Sequence, residues 1–221
     1  MPVSAVLFDI DGTLVDSNYL HVDAWERAAA DAGFPVSSWH LHRAIGMDSA
    51  MLLETVLEGA TQEQRDRAKE LHSEYYTGMA SRLKVLPGAR ELLTAVAERG
   101  MRVVLATSAP ENELEMLRDV LEIEDAVWSV TSSGDVETAK PEPDIVETAL
   151  ERGETDAAGA VFVGDSIWDV KAAAAAGVST IGLRSGGVSE EELRGVGAIA
   201  VYDDPADLLE HLDESPLVRS A

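Results

Sequence analysis

The sequence predicts an α/β fold, a doubly wound and mostly parallel sheet with helices on both faces and an all-helical insert after the first strand. Three observations predict it. Short β-branched runs alternate with stretches of helical periodicity along most of the chain. One long segment, from about residue 18 to residue 82, carries helical pattern only. The 221 residues, 46% of them hydrophobic, suffice for one core of ordinary size with a small insert, and disorder is not expected.

Residues 3–8 read as a buried strand ending at Asp9, and residues 103–106 as a second ending at Thr107. Residues 127–130 form a third, 160–163 a fourth running into Gly164-Asp165, and 180–183 and 198–202 a fifth and sixth. Helical periodicity falls at 89–99, 111–121, 143–152, 167–176, 190–194 and 205–212. The insert reads as helices over 19–32, 38–45, 49–58 and 62–83. Val85-Leu86-Pro87-Gly88 punctuates the return to the sheet, and Gly177 is placed to close the alanine-rich helix before it. The organisation expected is a Rossmann-like core of residues 1–16 and 83–221 with a helical cap domain at 17–82.

Lys and Arg number 17 against 41 Asp and Glu, a formal net charge of -24. Such a surface repels phosphate backbones and anionic lipid, so neither nucleic acid nor membrane is an expected partner. It also disfavours anionic ligands at long range. A phosphorylated ligand would need local cations, from a metal, a lysine or helix N-termini. With no cysteine, disulfides, zinc thiolates and a thiol nucleophile are excluded. The N-terminal MPVSAVLFDID lacks a basic leader and a long apolar run, so no signal peptide is read, and no apolar stretch is long enough to span a bilayer. A cytoplasmic monomer is expected.

Four candidate reactive positions stand at or just beyond predicted strand ends: Asp9 with Asp11, Thr107 with Ser108, Lys140, and Asp165 with Asp169. Ligands of an open parallel sheet bind outside the carboxyl ends of its strands, so these distant residues should converge. In Asp9-Ile10-Asp11-Gly12-Thr13, two carboxylates separated by one residue on extended chain point the same way and repel unless a cation or a shared proton relieves them. One could attack phosphorus while the other handles the proton of the leaving oxygen. Gly12 permits the bend that follows. Taken alone, the pair also fits a helix cap or a turn. In Gly164-Asp165-Ser166-Ile167-Trp168-Asp169, carboxylates four apart across a helix start suit magnesium, and equally suit N-capping by Asp165 with a dipole contact for Asp169. Thr107 and Ser108 could hold a phosphoryl oxygen or simply cap the next helix. Lys140, one of 4 lysines, lies in the stiff loop Ala139-Lys140-Pro141-Glu142-Pro143, aimed at a phosphate or at solvent.

In this order the four motifs resemble the haloacid dehalogenase-like hydrolase superfamily across essentially the whole chain. Asp9 to Thr13 matches its first motif, Thr107 its second, Lys140 its third and Gly164 to Asp169 its fourth. The insert resembles the superfamily's C1 cap, and Asp9 to Ser17 with His21 and Trp25 resembles the phosphoglycolate phosphatase and β-phosphoglucomutase branch. The resemblance implies a magnesium-dependent phosphatase acting on a small phosphorylated metabolite, of phosphoglycolate or sugar-phosphate type. Asp9 would form an aspartyl-phosphate and Asp11 would serve as acid, then base. Magnesium would be held by the Asp9 carboxylate, the Asp11 backbone carbonyl, Asp165 and Asp169. Thr107, Ser108, Lys140 and Gly12 would hold the phosphoryl group.

In such a family the cap contacts the leaving group. Candidates are His21 and Trp25, which share a helix face, Arg43, and Gly46 in the turn Gly46-Met47-Asp48-Ser49. Trp25 also reads as packing, Arg43 as a surface ion pair, and His40 and His42 as solvated. Gly186-Gly187 reads as a flexible turn. A β-phosphoglucomutase-like mutase is the nearest alternative. It typically carries basic residues around the cap turn, where Ile45 and Ser49 stand here. A phosphate-binding protein without turnover is a second. Asp11 argues against a dehalogenase. No lysine occurs between Asn18 and Ala68, which disfavours phosphonate cleavage.

Overall fold

The computed structural model describes residues 2–136 and 140–218; Ala139 of the lysine motif lies outside the described residues. Six strands, β1 (Ala5–Phe8), β2 (Arg102–Ala106), β3 (Val127–Thr131), β4 (Ala160–Gly164), β5 (Ser179–Leu183) and β6 (Ala200–Tyr202), form one sheet. Its order is β3-β2-β1-β4-β5-β6, and every neighbouring pair is parallel. The helices are α1 (Asn18–Asp31), α2 (Ser38–Ala44), α3 (Ser49–Val56), α4 (Gln62–Thr77), α5 (Ala89–Glu98), α6 (Glu111–Leu121), α7 (Asp144–Arg152), α8 (Ile167–Ala175), α9 (Glu190–Gly195) and α10 (Pro205–Glu210). All four residues of β1 are buried, as a central parallel strand covered on both faces requires. Val6 and Phe8 point into a core shared with Leu92, Leu93 and Leu117 of α5 and α6. Leu7 points the other way, against Ile145 and Ala149 of α7 and Ala172 of α8.

Helices α1 to α4 occupy the segment that lacks strands, and α1 packs mainly along α4. Trp25, Leu41, Leu52, Leu53, Leu57 and Ala68 form a hydrophobic cluster of their own there. The two ends of this segment are stitched together. Asp16 N–H donates to the Lys84 carbonyl at 2.8 Å and Leu86 N–H to the Leu14 carbonyl at 2.9 Å, so the chain leaves the sheet and returns at one place. A Thr61/Gln64 capping box starts α4. The helix expected over 62–83 stops at Thr77, with only a 3₁₀ turn at Ala80–Arg82. Gly78, a poor helix former, follows, and Met79 and Leu83 turn into the sheet core instead. No helix among the described residues is long and apolar enough to cross a membrane.

Candidate active site

Strand β1 lies between β2 and β4, where the strand order reverses direction, and a crevice opens at that point beyond the carboxyl ends. Asp9 follows β1, Thr107 follows β2 and Asp165 follows β4. Lys140 reaches in from the loop before α7. Its Nζ lies 2.5 Å from Asp9 Oδ1 and 2.7 Å from Asp169 Oδ1, with all three side chains buried. Burial works against the lysine's charge, but Asp169 and Asp9 more than offset it, so its pKa stands above the ordinary value.

Asp165 accepts hydrogen bonds from Thr13 Oγ1 and Asn18 Nδ2, each at 2.8 Å. It does not cap α8. Ser166 does, accepting from Asp169 N–H, while Asp169 Oδ2 accepts from the Ser166 N–H and hydroxyl. Asp169 thus closes a capping box with one oxygen and meets Lys140 with the other. One lysine faces three buried carboxylates. Burial, more than the neighbouring Asp169, pushes the Asp165 carboxyl up to about 7, and burial likewise raises Asp9 well above the usual range against the pull of Lys140.

Asp11 has different surroundings. Its Oδ1 accepts from Ser17 Oγ at 2.6 Å and lies 3.3 Å from His21 Nε2 and 3.5 Å from Tyr76 Oη. Burial alone would raise its pKa; the hydrogen bonds and charge of His21, with Ser17, outweigh that and hold the carboxyl below its usual value. The neighbours Asp9 and Asp11 are thereby pushed apart, the arrangement in which two carboxylates take different tasks.

A cavity of about 430 Å³ covers these groups. Of the residues singled out from sequence, Asp9, Asp11, Thr107, Ser108, Lys140, Asp165, His21, Trp25 and Gly46 line it. Thr107 is not a helix cap, since Pro110 holds that position; its hydroxyl accepts from Ala109 N–H at 3.0 Å. Ser108 Oγ is buried with no hydrogen-bond partner among the described residues.

Three expectations are corrected. Gly12 does not line the cavity, and its N–H already donates to the Val15 carbonyl. Its φ of +75° and the lack of a side chain let Asn18 and Asp165 close in, where a Cβ would meet Asp165 Oδ2 at 2.4 Å. Arg43 points away, pairing with Glu192 at 2.7 Å. His42 is half-buried rather than solvated, with Nε2 3.0 Å from the Gly186 carbonyl. Gly186 itself is buried against Asp165 and forms a wall behind that carboxylate, while Gly187 is exposed.

Sequence reasoning missed Asn18, Lys69, His72, Asn112 and Glu113, which also line the cavity. A signal existed for His72. It shares the buried face of α4 with Ala68, Leu71 and Tyr76 at helical spacing, a polar ring where an apolar residue is expected.

Oxygens of Asp9, Asp165 and Asp169 lie within 4.8 Å of one another. Three buried carboxylates against one ammonium, with two of them raised in pKa, form a hard-oxygen donor set short of positive charge. That set fits a divalent cation such as magnesium.

Fold and geometry together describe an α/β protein with a candidate active site at the carboxyl edge of a parallel sheet. Residues 6–183 match the haloacid dehalogenase-like hydrolases, and the chain belongs to that family. A phosphoglycolate phosphatase of Rhodospirillum rubrum is 32% identical over 214 residues, covering 92% of this chain and 88% of its own. A phosphorylated carbohydrates phosphatase of Thermotoga maritima is 33% identical over 219 residues, covering 96% and 99%. The crystal structure of a hydrolase from Pseudomonas syringae superposes with a TM-score of 0.91 at 35% identity, covering 96% of this chain and 98% of its own.

Proposed function

We propose that this protein is a magnesium-dependent phosphatase of small phosphate monoesters, of phosphoglycolate or sugar-phosphate type, working through an aspartyl-phosphate at Asp9. The observation that carries the reading is the pair Asp9 and Asp11, two residues apart in sequence, under one cavity and in opposed electrostatic settings. The relatives' names support the same substrate class. Residues 17–82 would act as a cap over a core of 1–16 and 83–221, closing the cavity over the substrate.

Asp9, Asp165 and Asp169 would hold magnesium by their carboxylates and Asp11 by its backbone carbonyl. Bound there, the ion would neutralise the carboxylates, favour ionised Asp9 and offset charge on the phosphoryl oxygens. An Asp9 oxygen attacks phosphorus as the bond to the leaving oxygen breaks. Asp11 gives that oxygen a proton. His21 and Ser17 hold Asp11 as a carboxylate in the free enzyme, and a phosphoryl dianion brought beside it raises its proton affinity. Asp11 then takes a proton from the water that attacks the phospho-aspartate, releasing inorganic phosphate and restoring Asp9. Lys140, Thr107 and Ser108 hold the transferring group.

The test is inorganic phosphate release from a panel including phosphoglycolate and hexose phosphates, with magnesium, with chelator, and with Asp9→Asn. Release that requires magnesium and falls at least about a thousandfold in Asp9→Asn is expected. No release from any ester overturns the reading, and a rearranged sugar phosphate in its place would mark a mutase.

A further inference from the structure

A carboxylate that the proposed chemistry does not use stands in the wall of the cavity. Glu113, in the first turn of α6, is 5% exposed and lines that cavity. Its carboxyl makes no hydrogen bond among the described residues; the His72 ring approaches it only to 3.8 Å, beyond hydrogen-bond reach. A buried carboxylate without donors is costly, and a ligand that brings donors into the cavity relieves it.

Three kinds of ligand group could meet Glu113, and the surroundings separate them. A ligand carboxylate is repelled at close range. A ligand cation is redundant. Burial pushes the Glu113 carboxyl up to about 7, and positive charge on His21 and Lys69 already works against that rise. A hydroxyl donates to the carboxylate and leaves the charge balance unchanged, and such a charge-assisted hydrogen bond is a strong one.

The rest of the wall has the same character. Ser73 of α4 and Asn112 of α6 line the cavity and meet each other, Asn112 Nδ2 donating to Ser73 Oγ at 3.3 Å. Hydroxyl and amide groups both donate and accept, as the hydroxyls of a ligand do. Trp25, Met47 and Leu52 add apolar surface, against which the carbon–hydrogen faces of a ring can pack. Besides Lys140, which Asp9 and Asp169 hold, Lys69 is the one ammonium among the described lining residues, and it shares the wall with the carboxylates of Glu113 and Asp48. No surplus of positive charge is left there for a second anionic group. Size agrees: a hexose phosphate of about 16 non-hydrogen atoms fills far more of a cavity of about 430 Å³ than phosphoglycolate with about 9.

We propose that Glu113 is a specificity-determining residue that accepts hydrogen bonds from leaving-group hydroxyls, so that the cavity takes a phosphate ester of a neutral, polyhydroxylated compound of hexose size in preference to a short phosphorylated acid. The inference rests on the phosphatase reading for turnover, whereas the preference in binding does not.

The experiment compares kcat/KM for glucose, fructose and mannose phosphates with that for phosphoglycolate, at about pH 8, where Glu113 is ionised, with magnesium and the full chain. In the wild type the best hexose phosphate should exceed phosphoglycolate by at least about tenfold. Glu113→Leu removes the acceptor and the charge together. It should lower the hexose phosphate value about 10- to 100-fold and raise the phosphoglycolate value about threefold. Glu113→Gln keeps an acceptor oxygen without the charge, so the hexose phosphate value should fall less than in Glu113→Leu while phosphoglycolate again gains. Opposite changes for two substrates are not what general damage to the fold produces, and Glu113→Gln carries the test even where Glu113→Leu fails to fold. A wild type that prefers phosphoglycolate, a preference unmoved by either variant, or losses that run in parallel for both substrates each overturn the proposal. If no ester is turned over, the proposed function falls, and titration calorimetry of the wild type with magnesium against the same compounds decides the selectivity alone. Tighter binding of a hexose phosphate would then sustain it; tighter binding of phosphoglycolate, or binding of neither, would overturn it.

Discussion

Asp165 offers a quantitative test of the crowded carboxylates. Its pKa stands at about 7 in the fold against 3.8 for an ordinary aspartate. A carboxyl raised on folding contributes stability that is fully present below its unfolded pKa and is lost as pH rises through the folded one. From about pH 5 to about pH 8, and at ~1.4 kcal/mol per unit, wild-type protein in chelator should lose about 2–3 kcal/mol through this group. Asp165→Asn cannot titrate. It sets one amide N–H₂ against a donor, Thr13 or Asn18, a fixed penalty of about 1–3 kcal/mol. That penalty is the same at every pH, so the change of ΔΔG with pH isolates the charge effect. Urea unfolding of both proteins in chelator, across that pH range, is the assay. The variant should gain about 2–3 kcal/mol on the wild type from the acid end to the alkaline end. With saturating magnesium the wild-type slope should flatten, because a bound cation keeps the carboxylate ionised in the fold. A ΔΔG that stays level across the range in chelator would refute the reasoning, since Asp165 would then ionise as readily in the fold as in the unfolded chain.

Lys140→Met leaves Asp9 and Asp169 without their buried partner and should destabilise the chelated protein by about 3–5 kcal/mol near neutral pH, measured by the same unfolding assay; a change below about 1 kcal/mol would argue against the pairing. Gly186→Ala would put a Cβ 1.7 Å from Asp165 Oδ2, so a loss of about 1–3 kcal/mol and a smaller magnesium-induced rise in melting temperature are expected; an unchanged rise would show that the wall can yield. Arg43→Ala removes a half-exposed pair with Glu192 and should alter stability by less than about 1 kcal/mol and KM by less than about twofold; a tenfold rise in KM would return Arg43 to the substrate site.

The parts of the site that could be read in sequence share one physical property. Asp9, Thr107 and Asp165 each end a run of apolar residues buried on both faces of a parallel strand, and an abrupt polar residue there marks the carboxyl edge. Lys140 was legible because lysine is scarce in this chain and is followed by the stiffening prolines Pro141 and Pro143. The Ser166 to Asp169 box is present in the sequence as Ser-x-x-Asp, whereas the cap expected at Asp165 falls one residue later, on Ser166. Sequence spacing does not tell which oxygen of Asp169 turns to the backbone and which to Lys140.

Glu113 was illegible for a different reason. It sits beside Leu114 on an amphipathic helix, where a charge normally faces water; in the fold it is buried, with His72 of α4 3.8 Å away. Arg43 and His42 diverge in the same way, since neighbours on one short helix are turned by Glu192 and Gly186, residues far along the chain. By itself the sequence determined the parallel sheet, the helical segment and the strand-end residues, because periodicity and strand termini are local properties. The tertiary structure alone decided how the carboxylates share one lysine, which histidines meet and which arginine turns away, because those outcomes depend on burial and on contacts between residues distant in the chain.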